Sequence, residues 1–226
     1  MAGVLGGICY LDRTAAFQLM LHRPIVAATL TGWIFGDFMA GAQVGVVLEL
    51  IYLVHLPVGA SVPPDDTGAA VFAGAAAAFA SRAAVFDEGS FTAMILLSVL
   101  FAELGGWIDS LVRKVNGRIA RIARDAVERG DIKAVEQSLL AGLTLFGVTG
   151  LLVAISFSAA GAAASTFLLP RLRAGIGLDL AALALFLPLV GAASVFACGR
   201  TEKTAWLFFL VMTVSFAATA VIRWMV

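Results

Sequence analysis

The stretch LDRTAAFQLMLHRPIVAATLTGWIFGDFMAGAQVGVVLELIYLVHLPVGASVPPDD, residues 11–66, sets Asp12, Arg13, Arg23, Asp37, Glu49, Asp65 and Asp66, with the histidines His22 and His55, into a background apolar enough for a lipid bilayer. An ionisable group at bilayer depth costs about 2.5–3.5 kcal/mol on insertion scales, so Asp12, Arg13, Arg23, Asp37 and Glu49 would together cost roughly 15 kcal/mol if they faced lipid. These side chains must face protein, water or a bound solute. The function is expected among them.

The remainder of the chain has the same character. Of its 226 residues, 61% are hydrophobic and only 13% charged, with mean hydropathy +0.99, far from the composition of a soluble domain. At about 20 residues per crossing, this length holds at most about eight or nine spans. Apolar segments run over 14–35, 38–60, 67–80, 91–112, 137–157, 158–170, 178–198 and 204–222. All are expected to be helical, because open strands leave their backbone groups unsatisfied in lipid. The expectation is an all-α polytopic integral membrane protein with one membrane domain over 1–226.

Several segments are irregular. His22-Arg23-Pro24 interrupts the first, Pro57 and Gly59 break the second, and 67–80 and 158–170 are too short to span alone. Such patterns predict broken or re-entrant helices, whose unwound turns survive at membrane depth where they line a cavity or hold a ligand. A simple kink at Pro24 or Pro57, satisfied by neighbouring helices, is the competing reading. Gly32 and Gly36, then Gly41 and Gly45, repeat at the spacing that lets two helices approach closely. Glu49 follows four residues later on the Gly41/Gly45 face, which aims it into protein.

The formal net charge is zero, with 15 basic and 15 acidic residues, so nothing electrostatic points to a nucleic-acid partner. Arg113, Lys114, Arg118, Arg121, Arg124, Arg129 and Lys133 lie in one interval between apolar segments, and the positive-inside rule makes that interval cytoplasmic. Val115, Ile119, Ile122 and Ala126 recur there at helical spacing, so 113–133 reads as an amphipathic cytoplasmic connector. It is either neutralised by lipid headgroups or used as a docking surface. The apolar start, Met1 to Tyr10, lacks a basic lead-in and runs into Asp12 and Arg13, so no cleavable signal is expected.

Catalytic constellations are missing from the sequence. There is no HExxH, GxSxG or P-loop, and Ile34 stands where a GxGD protease pattern needs glycine. Cys9 and Cys198 are read as packing residues. No catalytic residue, metal or cofactor is implied. Carboxylates, amides and broken backbone within a membrane domain suit a neutral polyhydroxylated solute. Glu49 and Asp65 can accept from hydroxyls, Gln18 and Gln43 can donate and accept, and Tyr52 or Trp33 can stack on a sugar ring. Each also has a structural reading. Asp12 pairs with Arg13 or Arg23 in one, and in another Asp65 caps a helix starting at Asp66 after a bend fixed by Pro64.

Taken in order, LDRT (11–14), Gln18, HRP (22–24), LTGWIFGD (30–37), GAQVGVVLELIYL (41–53), PVGASVPPD (57–65) and ARDAVERGDIKAVE (123–136) resemble the membrane IIC component of mannose/fructose/sorbose-type phosphotransferase system permeases. The resemblance covers nearly the whole chain. It implies a multi-pass protein of the bacterial inner membrane, pairing with a IID membrane subunit in trimers of IIC/IID pairs. Soluble IIA and IIB domains would pass a phosphoryl group from HPr to the incoming sugar. His22 and His55 would then not be phosphorylation sites, and transport would be an elevator-type movement of a sugar-holding core. By the same resemblance Gln18, Glu49 and Asp65 face the sugar, while Asp12, Arg23, Asp37 and Pro64 hold the site together or gate it. About one full span is usual in that family ahead of the residues matching Leu11, against ten here. A second hypothesis is a sugar-sensing membrane protein that keeps the fold without transporting.

Overall fold

The computed structural model describes residues 1–15, 18–53 and 62–172, and these are helical throughout their regular structure. The elements are α1 (Ala2–Thr14), α2 (Pro24–Ile34), α3 (Phe38–Tyr52), α4 (Asp66–Arg82), α5 (Glu88–Glu128) and α6 (Ile132–Ala163), with a π-helical turn, Ala164–Leu168, continuing α6. His55, Pro57, Gly59, Cys198 and the segments 178–198 and 204–222 lie outside the described residues.

The architecture is organised around α4. Its sequence, DTGAAVFAGAAAAFASR, is apolar and small on every side, and each position from Asp66 to Ala78 is buried. A helix apolar all round is an inner helix. Here α2, α3, α5 and α6 surround it. The small side chains let backbones approach directly: a Cβ on Gly74 would lie 3.0 Å from the Ala28 Cα of α2, and one on Gly161 of α6 would lie 3.0 Å from Ala76 N. Phe72 fills the remaining space, stacking on Phe101 of α5 at 4.0 Å between ring centroids, with Phe157 of α6 edge-on to Phe101 at 4.9 Å.

α2 and α3 form an antiparallel hairpin. Pro24 occupies the first turn of α2, where its missing N–H leaves no bond unmade, so it starts a helix and does not kink one. At the other end Gly36 adopts φ +101°, a left-handed conformation open to glycine, and turns the chain into α3. Gly36 therefore serves the turn, whereas Gly32, Gly41 and Gly45 form the interface as their spacing implied. Asp37 caps α3, accepting from Ala40 N at 2.9 Å and from the Ser81 hydroxyl of α4. At about 1.5 Å per residue, the 11 residues of α2 and 15 of α3 reach roughly 16 and 22 Å, short of the ~30 Å hydrocarbon core.

Three sequence expectations are corrected. The apolar start is a helix in its own right, α1, packed antiparallel on α6 through small residues: a Cβ on Gly7 would lie 3.2 Å from Gly147 O, and one on Gly6 3.1 Å from Gly150 O. The break expected between 137–157 and 158–170 does not occur. The small residues from Ser158 to Ser165 mark where α6 presses on α4, and the helix runs on through the π turn. Finally, the connector 113–133 is mostly not a separate helix, because α5 continues unbroken to Glu128 and Gly130, at φ +69°, turns the chain into α6. With 41 residues α5 is about 60 Å long, twice the hydrocarbon core. Its basic half sits at the tip of the α5–α6 hairpin. Among the described residues, Glu88–Glu128 and Ile132–Leu172 are the two helices long and apolar enough to cross a membrane.

Candidate functional site

Apart from Asp37, which lies at the turn end of the hairpin, the described charged residues of 11–66 collect where the C-terminal end of α1, the loop 18–23, the open end of the α2–α3 hairpin and the start of α4 meet. Asp65 is at its centre. It is fully buried and caps α4: Oδ1 accepts from Gly68 N at 3.0 Å and from Arg13 Nη1, and the Tyr10 hydroxyl donates to Oδ2. Its own N–H donates to Ala102 O of α5 at 2.8 Å. Arg13 also donates to Pro64 O at 3.0 Å and lies 3.5 Å from Asp66 Oδ1, so α1 is tied to the chain entering α4 by one guanidinium with three acceptors.

This anchor depends on glycines. On α5, Gly105 lies directly under the Asp65 side chain and a Cβ on Gly106 would lie 3.4 Å from the Pro64 Cα, so the Gly105-Gly106 pair seats the Pro63-Pro64-Asp65 bend. On α6, Gly150 lies under the Tyr10 ring, which sets the phenol against Asp65. A buried ion pair is tolerable when its remaining hydrogen-bonding capacity is met, and here both Asp65 oxygens are engaged. Its geometry is that of the capped helix start named among the sequence readings.

A second knot lies beside it. Asp12, also fully buried, accepts from Leu19 N, from His22 N at 3.3 Å and from His22 Nδ1 at 2.8 Å. The pairing of Asp12 with Arg13 or Arg23 considered from sequence is corrected: each arginine reaches a carboxylate on another helix and leaves Asp12 to the loop. Thr67 Oγ1 donates to His22 O at 2.9 Å, and Cys9 Sγ donates to Leu21 O at 3.4 Å, fastening the same loop to α4 and α1. Gln18, exposed, stands in this loop at φ 52°.

The third knot closes the hairpin. Arg23 Nε donates to Glu49 Oε1 at 2.7 Å, and Ile25 N donates to Oε2 at 3.3 Å. Glu49 thus lies on the Gly41/Gly45 face, as its spacing implied, and satisfies the first turn of α2. Both side chains remain partly exposed, 22% for Arg23 and 18% for Glu49.

The other sugar candidates are placed differently. Trp33 is 65% exposed at the far end of α2, about 15 Å from Arg23 along the helix, where an indole suits a membrane interface. Gln43 is exposed and Tyr52 buried. The structure therefore joins Gln18, Arg23, Glu49, His22, Asp12 and Asp65 at one junction and separates Trp33 from it. Sequence reasoning missed Tyr10, Thr67 and Gly105. The Gly-Gly pair within an apolar helix was the one signal of close backbone approach available for them.

The fold, an inner alanine-rich helix ringed by others with ionisable groups drawn to one internal junction, is that of an all-helical integral membrane protein. One solved structure, described as "Structure of membrane protein", matches with TM-score 0.69 and 21% identity over 100% of this chain and 94% of its own. A second, of the mannose transporter ManYZ in complex with microcin E492, matches with TM-score 0.57 and 22% identity over 100% and 93%. The family model described as "PTS system sorbose-specific iic component" matches residues 1–225, and the chain belongs to that family. Similar proteins include the mannose-specific EIIC component of Escherichia coli K12, 28% identical over 52% of this chain and 42% of its own. The sorbose-specific EIIC component of Klebsiella pneumoniae is 28% identical over 61% and 48%. The fructose permease IIC component of Bacillus subtilis 168 is 31% identical over 51% and 40%. The matched region spans less than half the length of each of these relatives.

Proposed function

We propose that this chain is the sugar-translocating IIC subunit of a mannose-family phosphotransferase system, a multi-pass protein of the bacterial inner membrane. It binds a hexose or related sugar for transport coupled to phosphorylation by IIB. The observation that carries this reading is the junction itself, where Glu49, Arg23 and Gln18 offer reachable donors and acceptors among apolar helices, together with family membership. A hydroxylated solute needs such a mixed set of groups.

Within the site, Gln18 and Glu49 take the sugar-facing role. Asp65, the third residue that the family resemblance assigns to the sugar, acts in this conformation as the anchor beneath them, because both its oxygens are engaged in a fully buried setting. Asp12, Arg23, Asp37 and Pro64 hold the loop and hairpin ends in place. The short α2–α3 hairpin, pinned to α4 at both ends, is suited to move as a body in an elevator-type cycle. The partners are a IID membrane subunit, in an oligomer of IIC/IID pairs, and soluble IIB and IIA phosphocarriers.

The test is uptake of labelled mannose, fructose and sorbose by cells expressing this chain with and without its IID and IIB partners, scored for sugar phosphate. Phosphosugar that forms only with all three present is the expected result. Sugar binding without uptake by the complete set would replace transport with sensing.

A further inference from the structure

The ring of His22 is fixed by its surroundings and has no role so far. Its Nδ1 lies 2.8 Å from Asp12 Oδ2, and the same buried carboxylate accepts two backbone N–H groups. An ionised carboxylate can only accept, so Nδ1 carries the hydrogen and, in the neutral ring, Nε2 is left as an acceptor. Nε2 has no hydrogen-bond partner among the described residues, and it is not among the buried side-chain atoms left without one, so it is reachable from outside. This agrees with the 22% exposure of the His22 side chain over a carboxylate at 0%. A carboxylate fixing one ring nitrogen so that the other can bind is the general way in which a working histidine is oriented.

The loop holds the ring still. Gln18 at φ 52° and Met20 at φ 63° adopt left-handed backbone that side chains other than glycine's seldom take, and such conformations persist where neighbours over-determine them. Here Asp12, Cys9 and Thr67 do so, the last through His22 O itself. The next residue, Arg23, is the partner of Glu49.

We propose that His22 is a ligand-binding residue whose Nε2 accepts a hydrogen bond from one hydroxyl of the sugar, with Asp12 as the positioning residue that sets its tautomer. The inference rests on the sugar-binding reading above and adds a contact to the same site. It also narrows the ligand class: the Arg23 charge is already met by Glu49, so the added acceptor at Nε2 favours neutral hydroxyl donors over carboxylate or phosphate groups.

The test uses the full chain with its IID partner in nanodiscs and measures equilibrium binding of labelled mannose, fructose and sorbose, then of each mono-deoxy analogue of the tightest binder. His22→Asn keeps a donor where Nδ1 stood and removes Nε2; His22→Gln does the reverse. Wild type is expected to bind one deoxy analogue about three- to tenfold more weakly than the parent sugar, the worth of one neutral hydrogen bond. His22→Asn is expected to bind the two equally, and His22→Gln to keep part of the difference. Asp12→Asn, which can donate to Nδ1 and reverse the tautomer, is expected to lose the discrimination too. An equal loss across all analogues in His22→Asn, or unchanged binding, would overturn the proposal. If wild type binds none of the sugars, the sugar-binding reading itself falls, a result read before any variant is measured.

Discussion

Gly32 of α2 and Gly41 of α3 meet with no side chain between them: a Cβ on Gly32 would lie 2.7 Å from the Gly41 Cα. That contact sets the register of the hairpin. Two turns along α3 the same register brings Glu49 onto Arg23 and the first turn of α2, so the geometry of the polar junction depends on a glycine contact well removed from it.

Gly41→Val is expected to separate the hairpin and destabilise the protein by about 1–3 kcal/mol, the usual cost of overpacking. Gly117, on the exposed part of α5 with nothing within 4 Å of its Cβ position, is the control. There Gly→Ala is expected to hold or raise stability by up to about 1 kcal/mol. Thermal melts of the two variants in detergent check the pair.

Asp65→Ala leaves the Arg13 guanidinium, 9% exposed, without its main partner and uncaps α4. A loss of about 3–5 kcal/mol is expected, as for other buried pairs broken on one side. Asp65→Asn keeps a capping oxygen and is expected to be milder. Adding Arg13→Met to Asp65→Ala is expected to restore part of the loss, and a double-mutant cycle by thermal stability measures that coupling.

Asp37→Ala is expected to lose about 1 kcal/mol through the α3 cap, with a further loss because the Ser81 hydroxyl loses its acceptor. Asparagine caps nearly as well as aspartate, so Asp37→Asn is expected to retain more folded protein than Asp37→Ala. Fluorescence-detected size-exclusion of membranes expressing each variant gives the comparison.

The helical class and the internal placement of the charges were legible because hydropathy and the cost of burying charge are local and additive properties. The Gly41/Gly45/Glu49 face was legible for a similar reason, since helical periodicity alone puts those residues together. Partner choice was not. Arg13 and Arg23 sit near Asp12 in sequence, yet they pair with Asp65 and Glu49 because helix packing across α1, α3 and α4 decides which carboxylate each long side chain reaches. Gly36 carried the spacing of a packing glycine, but its left-handed φ makes it the turn residue. The continuity of α6 through its small residues was hidden because alanine and serine runs are weakly apolar whether a helix continues or stops. Asp65 combined a proline-fixed bend with a carboxylate, a pattern equally suited to a sugar ligand and to an N-cap; the bond from Gly68 N shows the cap, and Tyr10 and Arg13 engage the same carboxylate from α1.

Glu49 is proposed as a sugar-facing acceptor at the open end of the hairpin. Its most direct test is phosphosugar accumulation in cells expressing the chain with its IID and IIB partners, comparing wild type with Glu49→Gln at matched amounts of membrane-inserted protein. Hydrogen bonds to charged groups are worth about 1.5–3 kcal/mol, so a fall of about tenfold or more is expected without loss of folded protein. Accumulation at the wild-type level by an equal amount of Glu49→Gln would contradict the account.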